Sequence, residues 1–317
     1  MEVLLGILLA CGLSATALRT GVLGSRGLST AGTVFCGVFV QAVPFLVLGV
    51  VVSGLIAVFV SPDWLANRLP RRPVVAVLAA GAAGVALPGC ECGSVPVARR
   101  LFGDGGAAGA AALTFMLAAP AINPVVVVAT VVAFPGLPGM VVARVGASLL
   151  TAVIMGWAWS RWGRPEWIAV RPTTSGTRAG PRWSVFAEAA RHDFMQAASY
   201  LVLGAAAAAA FHVLVPRWVF AHVAGHLIVG IAAMAVLAVV LALCSEADAF
   251  VAAGMTMVPL LPRLVFLVVG PAVDLKLFAM QAGMFGRAFA SRFAPATFVV
   301  AVSSAILVGV VVLGGRM

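Results

Sequence analysis

The sequence predicts an all-α integral membrane protein, on three observations. The 317-residue chain is 63% hydrophobic and only 9% charged, where a soluble domain carries about 25% charged residues. Its mean hydropathy is +1.13, and its apolar runs are long enough to cross a bilayer. Those runs also come in two sets around matching proline- and acid-bearing motifs. About 8–10 transmembrane segments are therefore expected, built as two internal repeats with broken or re-entrant motif helices.

The first expected span is residues 3–18. Leu8 to Cys11 resembles a lipoprotein cleavage site, but Glu2 and the absence of basic residues ahead of the run favour a helix. Residues 19–30 form a polar loop, and 33–60 a second apolar segment interrupted by Gln41 and Pro44. A loop over 61–73 carries Arg68, Arg71 and Arg72. Residues 74–98 follow, ending at Arg99 and Arg100. Their 25 residues fit either one helix of about 37 Å or two short arms meeting near the midplane. A turn over 102–106 leads to 107–134, which Pro120 and Pro124 break, and then to a span over 139–160. Residues 161–193 are the one extended hydrophilic stretch, with Arg161, Arg164, Arg171, Arg178, Arg182 and Arg191. Such a bias marks a cytoplasmic linker, and Trp183 to Asp193 are expected to form a short interfacial helix at its end. The second set runs 194–215, 222–252, a turn over 259–263, 264–286 with Pro271, and 295–314. The resulting division is 1–32 for the first helix and loop, 33–160 for the first repeat, 161–193 for the linker and 194–317 for the second repeat.

Residues 88–98 read PGCECGSVPVA and 244–252 read CSEADAFVA. Aligning Cys90 with Cys244 brings Val97 and Ala98 onto Val251 and Ala252. Phe39 to Gly49 matches Phe194 to Gly204 in the same way, and Leu113 to Asn123 matches Leu264 to Asp274. Three blocks in one order, at offsets of 151 to 155 residues, indicate duplication. Prolines, glycines and acids at membrane depth are tolerated where protein or a watery cavity surrounds them. An intramembrane acid costs about 2.5–3.5 kcal/mol on the insertion scale, which makes it a functional candidate by default.

The thiols Cys90, Cys92 and Cys244 are soft ligands, suited to zinc, cuprous copper or trivalent arsenic. The carboxylates Glu91, Glu246 and Asp248 lie beside them. Together, Cys90, Cys92, Cys244, Glu246 and Asp248 are the candidate ligand set for such a species. The acids alternatively form a proton relay, or an internal ion pair with Lys276 or Arg144. Asn123 and Asp274 occupy matching positions after Pro120 and Pro271, and either contact substrate or cap the helix that follows. Lys276 is the chain's one lysine; its spacing from Asp274 does not place both on one helix face, which points to a partner elsewhere. Gln41 and Gln196 also match, as interhelical hydrogen-bonding or substrate-contact candidates. His222 and His226 have the spacing of a metal pair but no acid nearby, and Cys11 and Cys36 are read as space-filling. Nothing resembles a phosphate-binding loop or a hydrolase signature, so neither ATP hydrolysis nor enzymatic catalysis is expected, and no cofactor is implied.

The 88–98 motif, the Pro120 to Pro124 break and the Cys244 to Asp248 motif resemble a family of predicted bacterial permeases that includes the ArsP-type exporters of trivalent organoarsenicals. The resemblance covers about residues 33–314. It implies a multi-pass permease of the cytoplasmic membrane for a thiophilic metal or metalloid species. Members usually carry a small polar residue where Glu91 stands, and an added carboxylate favours a cation. Some relatives look like parts of zinc-linked permease systems. A zinc or divalent-cation permease working with a partner subunit is thus the alternative, and an intramembrane thiol oxidoreductase is the alternative of another class. The expected partners are the lipid bilayer, a small inorganic or organometalloid substrate, and an accessory permease subunit or a second copy of the chain. The net charge of +10 is assigned to loops and headgroup contact rather than to nucleic acid.

Overall fold

The computed structural model describes residues 26–59, 73–84, 91–102, 106–168, 182–214, 227–256 and 258–314. Among these, the chain is helical and contains no strand. The first half comprises α1 (Arg26–Phe59), α2 (Pro73–Ala83), α3 (Glu91–Leu101), α4 (Gly106–Ile122), α5 (Pro124–Ala133) and α6 (Pro138–Trp162). The second comprises α7 (Arg182–Leu214), α8 (Leu227–Leu241), α9 (Ser245–Gly254), α10 (Leu260–Ala272), α11 (Leu275–Met284) and α12 (Arg287–Leu313). Each half thus runs as one long helix, two short ones around a motif, a broken pair, and another long helix.

Among the described residues, four helical stretches are long and apolar enough to cross a membrane: Ala108–Ala133, Pro138–Trp162, Leu260–Met284 and Arg287–Leu313. The first and third are the broken pairs α4–α5 and α10–α11. The protein is accordingly an all-α membrane protein. The expected first span at 3–18, and His222 and His226, lie outside the described residues.

Within the motif segment 74–98, α2 runs to Ala83 and α3 is described from Glu91, while residues 85–90 lie outside the description. The partner motif helix α9 follows a separate helix, α8. The break between α8 and α9 spans Ala242 to Cys244, and Ala242 takes a positive φ of 46° there; a residue in the left-handed region cannot continue a right-handed helix. Two boundaries differ from expectation. Trp183 to Asp193 are not a separate interfacial helix but the first turns of α7, because neither proline nor glycine interrupts the chain before Gly204. Residues 259–263 are not all turn: α10 starts at Leu260, since Pro262 falls in the first turn, where an N–H has no intrahelical partner to lose.

The halves interlock instead of sitting side by side. α1 packs along α7, and α6 along α12. The motif helix α9 of the second half lies against α5 of the first, while α3 of the first lies against α11 of the second. The cores mix accordingly. One joins Leu46, Val95, Leu113 and Met116 to Cys244, Leu277 and Phe289; the other joins Met140 and Ala147 to Leu237, Phe266 and Ala305.

The crossing of α1 and α3 depends on two glycines. A Cβ on Gly49 would collide with the Cα and carbonyl of Gly93. Small residues at such crossings let backbones approach where no hydrophobic force between helices exists in lipid. Gly49→Ala is therefore expected to destabilise the protein by about 1–3 kcal/mol through overpacking. Gly146→Ala is the control, because its Cβ would meet only Val308 Cγ1, at an ordinary 3.5 Å. Thermal unfolding in detergent should show a lower midpoint for the first variant and an unchanged one for the second; equal midpoints would remove the close crossing.

Candidate functional site

The breaks in α4–α5 and α10–α11 are built alike. Asn123 is extended, at φ −68° and ψ 157°, and its side chain accepts from the Val126 amide at 3.0 Å. Its Nδ2 donates to the Ala119 carbonyl at 3.0 Å, so one side chain satisfies backbone groups on both sides of the break. Pro124 opens α5, a position that needs no donor. Asp274, also extended, accepts from the Leu277 amide as the cap of α11. Both residues are buried. Both therefore cap, the plainer of the two roles their positions allowed.

Because Asp274 is a cap, it lies outside the helix that Lys276 joins. The Lys276 Nζ consequently reaches the Asp274 Oδ2 at 3.6 Å, with both side chains fully buried. Helical spacing did not anticipate this pair, because that rule holds only when both residues are helical.

Cys244 is the extended N-cap residue of α9, at φ −77° and ψ 149°. Its thiol is only 2% exposed, and it does not cap the helix. Glu246 and Asp248 stand in the first turn of α9, where the positive end of the helix favours acids. Asp248 is 2% exposed, and both Glu246 carboxylate oxygens are shielded from solvent. Asp248 rests on the next helix: a Cβ on Gly270 would stand 2.5 Å from its Oδ2. Gly270 thus leaves room for a carboxylate just before the Pro271 break.

Near these acids is Arg144, in the second turn of α6 and 0% exposed. Its Nη1 donates to Thr130 Oγ1 on α5 at 2.7 Å, and its Nη2 to the Ser245 carbonyl on α9 at 2.7 Å. Asp248 and Glu246 both act on it electrostatically. One guanidinium therefore ties α5 and α6 of the first half to the motif helix of the second. Sequence reasoning had named Arg144 only as one of two alternative partners for the acids. The signal was that it is the single charge within 139–160. Thr130, Gly270 and the buried Gln281 were missed, because a lone hydroxyl, glycine or amide in an apolar run carries no pattern.

In the other motif, Cys90 lies outside the described residues. Glu91 and Cys92 open α3, with side chains that lie outside the description too, as do those of Gln41 on α1 and Gln196 on α7. Further along α3, Ser94 is fully buried and donates to the Met116 carbonyl at 3.2 Å. Among the described residues, no three His, Cys, Asp or Glu side chains converge as the ligands of a metal ion would. The buried charged and thiol groups described around α9 and the two breaks include Arg144, Asp248, Cys244, Asp274 and Lys276, with the shielded carboxylate of Glu246 beside them.

A family model described as "Predicted permease" (ArsP_1) matches residues 28–313. The chain is 32% identical over 283 residues to the UPF0718 protein YcgR of Bacillus subtilis (strain 168), covering 87% of this chain and 96% of the relative. It is 28% identical over 284 residues to a Streptococcus mutans serotype c protein named "Putative two-component membrane permease complex subunit", covering 87% and 94%. No solved structure matches it.

The electrostatic coupling of these acids to Arg144 changes what an acid substitution should do. Removing one member of a buried charge pair costs about 3–5 kcal/mol, because it leaves the other uncompensated. Asp248→Asn is expected to lower both transport and the unfolding midpoint, whereas Gly270→Ala should lower transport by pushing Asp248 aside while every charge is retained. Unfolding of Asp248→Asn at the wild-type temperature would show that Arg144 does not rely on it.

Proposed function

The chain belongs to the ArsP_1 family of predicted permeases, as a multi-pass protein of the cell membrane, and we propose that it translocates a thiophilic metal or metalloid species of the trivalent organoarsenical type. The observation that carries this reading is a buried cysteine, Cys244, beside acids that act electrostatically on Arg144. A hard divalent cation needs about six or more oxygen ligands with ample negative charge. Around α9 and the α10–α11 break, Arg144 and Lys276 stand against Glu246, Asp248 and Asp274, which leaves little net charge for such an ion. A soft, nearly neutral species asks instead for thiolates.

In this reading Cys244 supplies one sulfur at the α8–α9 break, and Cys90 and Cys92 supply two more at the α2–α3 break. Breaks of this kind at membrane depth are where transporters bind their cargo, because backbone groups and helix ends become available there. Glu246 and Asp248 hold the α9 end of the site in register through Arg144 and are the groups available to carry a coupling proton. In a second reading the chain is a divalent-cation permease acting with a partner subunit, and the name of the Streptococcus relative, a permease complex subunit, favours the partner. In that case Glu91, Glu246 and Asp248 bind the ion and the cysteines are dispensable.

Everted vesicles loaded against methylated arsenite, arsenite, zinc and copper separate the two. The wild type is expected to move the trivalent methylated species. Cys90→Ser, Cys92→Ser and Cys244→Ser should each reduce that movement about tenfold or more, and the triple variant should lose little further, as residues acting as a unit do. Full activity in the triple variant, or movement of zinc alone, would overturn the thiol mechanism.

A further inference from the structure

Where α6 ends and α12 begins, the structure has an apolar cleft of about 160 Å³. Met155, Trp159, Trp162, Phe293 and Ala296 line it, and Arg292 stands at its edge. Trp159 and Phe289 pack edge to face with ring centroids 5.5 Å apart, so the aromatic wall is fixed in place. No thiol or acid lines the cleft, so it does not continue the polar site around α9.

Its position is set by the two helices that form it. Trp162 is the last residue of one candidate membrane span and Arg287 the first residue of another. The cleft therefore lies at the level of the membrane interface, where tryptophans and arginines anchor. Beside it, Arg292 and Arg164 stand over the same indole: their guanidinium carbons lie 5.2 and 6.0 Å from the Trp167 ring centroid. Arg161 and Arg287 are exposed at the same end, and Glu166 is the one acid among the described residues of these segments. Both guanidiniums are exposed, so each can offer N–H donors to an anion at this end. Arg292 commits one N–H to the Ala288 carbonyl at 2.9 Å, out of the five that a guanidinium carries.

We propose that this cleft is a binding site for an anionic phospholipid, with part of an acyl chain against Met155, Phe293 and Ala296 and the headgroup phosphate between Arg164 and Arg292. An apolar cleft open at the interface suits hydrocarbon, and the paired guanidiniums suit phosphate. The arginine-rich linker that follows α6 puts this end in the cytoplasmic leaflet by charge bias. Bound lipid would bridge the end of α6 to the start of α12, and so hold together the two long helices that pair the halves.

The full-length protein in detergent is titrated with dioleoyl phosphatidylglycerol, with dioleoyl phosphatidylcholine and with inorganic phosphate, and the thermal unfolding midpoint is followed. Phosphatidylglycerol should half-saturate at a concentration at least about tenfold lower than phosphatidylcholine, as two arginines near a headgroup imply. Inorganic phosphate should have no effect at matched concentration. Arg164→Ala/Arg292→Ala should erase the preference while the phosphatidylcholine response persists, and Ala296→Trp should weaken both lipids by filling the cleft. Equal responses to the two lipids, or an unchanged preference in the double variant, would overturn the proposal. A midpoint shift from phosphate alone would also overturn it, by marking an anion site rather than a lipid site. Should the double variant fail to purify, the wild-type comparison of the three ligands still decides.

Discussion

A guanidinium buried at membrane depth is the constraint around which the described structure is arranged. Water cannot reach Arg144, so each of its demands must be met by protein. Thr130 and the Ser245 carbonyl take two of its N–H groups at 2.7 Å, and Asp248 and Glu246 meet its charge. These partners come from α5 and α9, which the chain separates by more than a hundred residues. Satisfying one side chain thus brings the motif helix of the second half onto the broken pair of the first. Asp248 in turn needs space against α10, and Gly270 provides it.

The bilayer explains why the breaks are so carefully capped. An unsatisfied amide or carbonyl in hydrocarbon costs several kcal/mol. Asn123 bonds on both sides of its break, and Asp274 caps its own while pairing with Lys276. The result is short helices that end inside the protein without exposing backbone to lipid. Polar chemistry can be held there because the apolar cores on either side draw residues from both halves.

The all-α membrane class and the breaks at Pro120 to Pro124 and near Pro271 were legible, because long apolar runs and prolines act locally. Whether 74–98 runs as one helix or two was not legible, because its apolar residues suit either. The extent of α7 was misjudged because Trp183 and the charges near it look interfacial, although nothing in them stops a helix. Lys276 was misplaced because its partner belongs to the cap, not to the helix. Arg144 stood out as an isolated charge, but its partners were hidden, since a backbone carbonyl at Ser245 and one threonine leave no trace in composition. The duplicated motifs pointed to Cys244, Glu246 and Asp248 as a group, and the structure places all three at the start of α9.

The central claim is that Arg144 and Asp248 stabilise each other across the two halves. A double-mutant cycle on unfolding free energy, using Arg144→Gln, Asp248→Asn and the two together, tests it most directly. Each single variant should be strongly destabilised, and the double variant should be more stable than the sum of the two losses by at least about 1 kcal/mol, as residues in one charge network show. Strictly additive losses would contradict the account.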